Sequence, residues 1–163
     1  MTKTLLIVFH SMTGGTRAMA EAAARGAGGQ GVAVRLKPAA SAGAEDLLAA
    51  DGYVFAAPEN LAAIAGMMKD FFDRTYYPAL GRIEGRACAI MVCAGSDGQN
   101  AARQMARIAT GWRLRTVAPP LIVCTHAQTP EAILAPKILG AGDAARCEEL
   151  GATLAAGMAI GMF

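Results

Sequence analysis

The stretch from Thr4 to Gly26 constrains the fold more than any other part of the chain. Its first six residues, TLLIVF, form an unbroken apolar run rich in strand formers. A strand that alternates apolar and polar residues has one wet face, whereas a continuous run belongs to a strand buried on both faces of a parallel sheet. After the turn that follows, Arg17 to Gly26 (RAMAEAAARG) consists of strong helix formers, with Arg17, Glu21 and Arg25 spaced four apart on one solvated face and glycines to end it. A buried strand leading directly into a helix is the opening unit of a doubly wound α/β sheet.

The alternation repeats along the chain. Strands are expected at Val32–Leu36, at Tyr53–Ala57, ending at Pro58, at Ala87–Cys93, and at Leu121–Thr125, entered through Pro119 and Pro120. Helices are expected at Ala44–Ala50, Gly66–Tyr77, Gln99–Thr110 and Ala144–Gly161, with Met67, Phe71 and Arg74 on one stripe of the second and Met68 and Phe72 beside it. Five short hydrophobic strands separated by helices predict a parallel sheet covered on both faces, because each crossover helix must pack back onto it. The length of 163 residues suits one domain spanning residues 1–163.

Composition narrows the function. A hydrophobic fraction of 54 % against 17 % charged residues excludes a disordered chain, and the 19 glycines point to close backbone packing. The net charge is only +2, with both signs interspersed and no basic run interleaved with aromatics, so nucleic acid is not an expected partner. The opening MTKTLLIVFHS lacks a signal-type core and cleavage site, and the apolar run Gly151–Phe163 is shorter than the roughly 20 residues of a spanning helix, so a cytoplasmic protein without membrane attachment is expected. Cys88, Cys93, Cys124 and Cys147 show neither C-x-x-C spacing nor a neighbouring histidine and read as reduced, mostly buried thiols; no metal site is expected.

In an open α/β sheet, ligands bind beyond the carboxyl ends of the strands where the winding reverses, which selects the loops after the first, third and fourth strands. The first of these is Ser11-Met12-Thr13-Gly14-Gly15-Thr16. Three hydroxyls, two glycines and a helix N-terminus aim hydrogen-bond donors and the positive end of a helix dipole at one point, where a phosphate is the natural guest. Ser and Thr also cap helices without binding anything, but three hydroxyls with two glycines exceed what capping requires. Neither the lysine of a nucleoside-triphosphate loop nor G-x-G-x-x-G is present, leaving uncharged recognition by hydrogen bonds. His10 beside the turn and His126 after the fifth strand are read as packing and solvated residues, and no catalytic residue is assigned.

Ser11, Thr13, Gly14 and Thr16 match the S/T-x-T-G-x-T phosphate loop of the flavodoxin superfamily, which the opening of this chain resembles. The second loop and following helix, APENLAAIAGMMKDFFDR, resemble the corresponding segment of NAD(P)H-dependent FMN reductases and flavodoxin-like quinone oxidoreductases through Pro58, Gly66, Lys69, Asp73 and Arg74. The resemblance implies a flavodoxin-like three-layer sandwich, a five-stranded parallel sheet of order 2-1-3-4-5 with helices on both faces. It also implies FMN held by the phosphate turn Ser11–Thr16, by Pro58, Glu59, Asn60 and Leu61 of the second loop, and by Ala94, Gly95, Ser96, Asp97, Gly98 and Asn100 of the third. The aromatic residues that flank the flavin in shuttle flavodoxins are missing from both loops.

What the resemblance implies for activity is an oxidoreductase that takes hydride from NAD(P)H and reduces a quinone, a flavin or another small acceptor, with a homodimer as the associated assembly. Two alternatives stay open. One is a flavodoxin-type electron-transfer protein, although such carriers resemble one another in strong acidity, which steers them to basic partners and which this chain lacks. The other is a non-enzymatic binding module on the same fold.

Overall fold

A computed structural model describes all 163 residues. Four long parallel strands, β1 (Thr4–Phe9), β2 (Ala33–Pro38), β3 (Gly52–Asn60) and β5 (Ala87–Ala94), lie in the order β2-β1-β3-β5. The fifth position is filled by two short strands, β6 (Arg115–Thr116) and β7 (Leu121–Cys124), each pairing in parallel with β5. The expected order 2-1-3-4-5 is therefore present, with its last strand interrupted. Pro119 and Pro120 stand in the interruption, and a residue without an N–H cannot extend the ladder.

Alternate residues of each strand feed opposite layers. Leu5, Ile7 and Phe9 pack with Met19, Ala20 and Ala23 of α1 (Gly15–Ala27) and with Leu154, Ala155 and Met158 of α6 (Ala141–Ala159). Leu6 and Val8 face the other way, toward Leu47 of α2 (Ala44–Ala49), Met68, Phe71 and Phe72 of α3 (Gly66–Ala79), and Met105 of α4 (Gln99–Gly111). Both faces of β5 are covered, and all eight of its residues are buried. That explains why its sequence, ACAIMVCA, carries no polar alternation.

The glycines and alanines of α1 and α6 let their backbones touch. A Cβ added to Gly26 would run into the Glu148 carbonyl, and one on Gly151 into that of Ala23. On the opposite face the core is aromatic: Phe55 lies against Tyr53, Phe71, Phe72 and Trp112. In α3 the buried stripe is Met68, Phe71, Phe72 and Thr75, while Met67 of the expected stripe is exposed.

Besides β6, two elements lie outside the sequence expectation, and a third has shifted bounds. The chain after β3 folds back antiparallel as β4 (Ala63–Ile64), making a hairpin with Leu61 and Ala62 at its tip. A five-residue helix α5 (Pro130–Leu134) follows β7, with the Thr129 hydroxyl accepting the Ala132 N–H. The closing helix starts at Ala141, three residues earlier than its composition suggests.

Candidate functional site

The carboxyl ends of β1, β3, β5 and β7 open into a cleft of about 480 Å³, within the range of small-molecule sites. Ser11, Met12, Thr13, Gly15 and Thr16 from the first loop line it, as do Pro58, Glu59 and Asn60 from the second and Ala94 and Gly95 from the third. Gly14 supports the turn with φ at +98°, a conformation that disfavours residues with a Cβ, and its N–H donates to Ser11 Oγ at 3.1 Å. Ala18 is the first residue of α1 whose N–H reaches a carbonyl four residues back, that of Gly14. The N–H groups before it have no such partner within the helix.

One atom in this turn is out of balance. Thr16 Oγ1 is fully buried and has no hydrogen-bond partner, and it is the only buried side-chain polar atom in that state. Such orphans are rare because each carries the desolvation penalty of an unmade bond.

The remaining expected residues stand off the cleft wall. Leu61 is fully exposed at the hairpin tip, and Ser96 and Asp97 are exposed beyond Gly95. Gly98 is buried at the start of α4, where its N–H donates to Glu59 Oε1 at 2.9 Å; the Ala101 N–H donates to Glu59 Oε2 at 3.4 Å. Asn100 donates through Nδ2 to the Ala62 carbonyl at 2.6 Å, and Ile64 N–H donates to Gln104 Oε1 at 2.8 Å. Thus α4 is tied to the second loop at several points.

A fourth wall was missed from sequence. Thr125, Ala127, Ile133, Leu134 and Lys137 line the cleft, together with Cys93 at the end of β5. The Lys137 N–H donates to the Thr13 carbonyl at 2.8 Å, which fastens this segment over the hydroxyl-rich turn. The Lys137 ammonium donates to the Ile133 and Ala135 carbonyls at 2.8 and 2.6 Å. A positive charge therefore lies beside a turn that carries none of its own. The available sequence signal was Thr129-Pro130-Glu131, a capped helix start after the fifth strand. Nothing local linked it to residues more than a hundred positions earlier.

Two groups near the cleft, His10 and Cys93, are biased toward their neutral forms. Burial lowers the His10 pKa, favouring uncharged imidazole. Burial raises that of the Cys93 thiol, only partly opposed by the Lys137 charge, so no thiolate nucleophile is prepared. No group of three His, Cys, Asp or Glu residues is arranged to hold a metal ion.

A parallel sheet wound in this order, with a hydroxyl-rich turn at its switch point, defines a flavodoxin-like domain. The chain belongs to the NADPH-dependent FMN reductase family, whose model matches residues 29–129, and is an FMN-binding flavoprotein of that family. A protein from Aquifex aeolicus (strain VF5) named flavodoxin is 39 % identical over 98 residues, which cover 59 % of this chain and 53 % of that protein. The match thus spans about half the length of this relative. Among solved structures, a flavodoxin from the domain Archaea superposes with a TM-score of 0.76 at 19 % identity, covering 93 % of this chain and 96 % of its own. A flavodoxin, WrbA-like protein from Agrobacterium tumefaciens gives 0.75 at 19 % identity, covering 94 % and 96 %. At such identities the likeness carries the fold alone.

The residues present fit FMN. Its phosphate would offer acceptor oxygens to the N–H groups that open α1 and to the orphaned Thr16 hydroxyl. No helix is long and apolar enough to cross a membrane.

Proposed function

We propose that this chain is an NAD(P)H-dependent oxidoreductase that reduces a small acceptor, such as a quinone or a free flavin, through FMN in the cleft. The buried, unpartnered Thr16 hydroxyl at the start of α1 carries the FMN half of the reading, and the match to the NADPH-dependent FMN reductase family supports the reductase half. In this reading Ser11, Thr13, Thr16 and the Gly15 N–H hold the phosphate. Pro58, Asn60, Ala94 and Gly95 border the ring, and Glu59 fixes the second loop to α4. When bound, FMN supplies a ring that accepts two electrons as hydride and gives them up again. The chain's own part is to bind, orient and partly shield that ring, and no protein nucleophile is required.

An electron-carrier role is the second reading, favoured by the likeness to the Aquifex flavodoxin. The net charge of +2 opposes it, since the acidity that steers carriers to basic partners is absent. A homodimer with its interface near the cleft accompanies the oxidoreductase reading. The four cysteines are free thiols, which suits a reducing compartment, and the cytoplasm is the proposed location.

The deciding experiment is an anaerobic titration with FMN followed by rapid mixing with NADPH or NADH. Binding with fast bleaching of the flavin supports a reductase. Binding without bleaching supports a carrier, and no binding rejects both.

A further inference from the structure

The hairpin at the cleft mouth is built against the preferences of its own residues. Asn60 pairs with Ala63, leaving Leu61 and Ala62 as a two-residue connection, with φ at +50° and +61°. Two consecutive left-handed residues make the turn that matches strand twist, and Asn-Gly is the pair that adopts it without strain. Leucine and alanine adopt it poorly, because a Cβ crowds the backbone there. Nor does packing compensate, since the Leu61 side chain is fully exposed at 102 %.

The strained turn is held from outside. Asn100 binds the Ala62 carbonyl and Gln104 accepts the Ile64 N–H, so two side chains of α4 fix the hairpin on either side of its tip. Glu59, at the root of the hairpin, is bound to the start of the same helix. Strain maintained by surrounding structure and unrelieved by burial is found where a side chain is needed for contact.

The cleft beside the tip indicates what that contact is. Its only charged lining residues are Glu59 and Lys137, and each is already engaged by backbone partners, Glu59 by two N–H groups and Lys137 by two carbonyls. Of its exposed lining residues Met12, Asn60, Ile133 and Leu134, three are apolar and the fourth carries no charge. The two charges are of opposite sign and held by neutral backbone groups, so the cleft offers no cluster of one sign to select a charged molecule, whereas a flat apolar surface meets side chains of its own kind.

We propose that Leu61 is a specificity-determining contact for the second substrate, selecting an uncharged, apolar electron acceptor, and that Asn100 and Gln104 are positioning residues that hold it at the cleft mouth. The inference rests on the FMN-dependent reading above.

The test replaces the strained pair with Asn-Gly (L61N/A62G), in a turn the new residues prefer, so the variant folds at least as well as the parent. Steady-state reduction of an uncharged alkyl-benzoquinone is compared with that of ferricyanide, a highly charged acceptor, after FMN affinity has been measured by fluorescence titration. The expected result is a rise of about tenfold in KM(quinone)/KM(ferricyanide), the scale of one partly covered leucine. Asn100→Ala and Gln104→Ala should move that ratio in the same direction in the parent, and should add little to it once L61N/A62G is present. A ratio unaffected by L61N/A62G in a protein that binds FMN overturns this inference and leaves the function reading intact. Failure of the parent to bind FMN overturns the function reading, and the inference falls with it.

Discussion

The Gly98 N–H at the start of α4 donates to Glu59 Oε1 across 2.9 Å, so a carboxylate from the second loop caps the helix that follows the third. Gly98 has no side chain with which to cap α4 itself. A carboxylate at a helix N-terminus satisfies otherwise unpaired donors and favours the dipole. The contact therefore does two things at once: it ends the frayed start of α4 and ties together two walls of the cleft.

Glu59→Ala should lower stability by about 1–2 kcal/mol, the usual loss for a helix cap. Glu59→Gln, which keeps an acceptor oxygen but loses the charge, should lose less. Urea unfolding of the three proteins checks the order; equal midpoints would show that the capping bond contributes nothing.

Thr16 gives a prediction whose sign depends on ligand. Without FMN, Thr16→Val removes a buried hydroxyl that has no partner and should leave the melting temperature unchanged or raise it, because an unmet polar group no longer has to be buried. With FMN the same change removes a hydrogen bond to a charged acceptor, worth about 1.5–3 kcal/mol, and should weaken binding by roughly tenfold or more. Melting curves with and without FMN, together with a fluorescence titration, check both halves. A variant destabilised without FMN that binds it normally would contradict the assignment.

Much of this was legible in the sequence for a simple reason. The runs TLLIVF and ACAIMVC are buried on both faces, so their apolar continuity could be read directly. The turn at Ser11–Thr16 is largely local, closed by the Gly14 N–H on Ser11 Oγ and by the left-handed Gly14. What escaped reading depends on distant contacts. The Leu61–Ala62 turn carries none of the residues its conformation prefers, and only side chains of α4 reveal why the chain folds back there. Helix α5 buries no residue and so has no apolar stripe, while the place of Lys137 beside Thr13 exists only once β7 and α6 have brought that segment over the first loop. The prolines at 119 and 120 mark the entrance to β7, which starts at Leu121; the two-residue strand β6 before them has both residues exposed and no apolar run to announce it.

Acid should destabilise the protein in two steps. Burial lowers the His10 pKa, so below about pH 6.5 the unfolded chain binds a proton more readily than the folded one. Stability is then lost progressively as pH falls toward the folded value. For Asp46, burial pushes the carboxyl up, but the Lys37 bond, the Gly43 N–H and the charges of Lys37 and Arg35 outweigh it and hold the pKa below its ordinary value. Its contribution is present above about pH 4 and disappears as pH falls through the folded value. Urea midpoints measured across this range should decline in both windows, and Asp46→Asn should flatten the lower one alone. A lower window that persists in Asp46→Asn would assign it to other carboxylates.

Lys137 places a positive charge beside the Ser11–Thr16 turn, which has none of its own, yet its ammonium is already bonded to the Ile133 and Ala135 carbonyls. Its effect on a bound phosphate is therefore Coulombic rather than a direct hydrogen bond, and such an effect at a solvent-open cleft is modest and screened by salt. Lys137→Met keeps the apolar stem beside Gly15 and removes the charge together with its bonds to the Ile133 and Ala135 carbonyls. It should weaken FMN binding by about three- to tenfold at low ionic strength, the range of roughly 1 kcal/mol, with the difference shrinking as salt is added. Thr16→Val, which removes a hydrogen bond instead, should show a loss that salt leaves nearly unchanged. Dissociation constants for both variants over a salt series separate the two contributions. A Lys137→Met loss that is large and independent of salt would mean that the ammonium leaves its carbonyls and binds the phosphate directly.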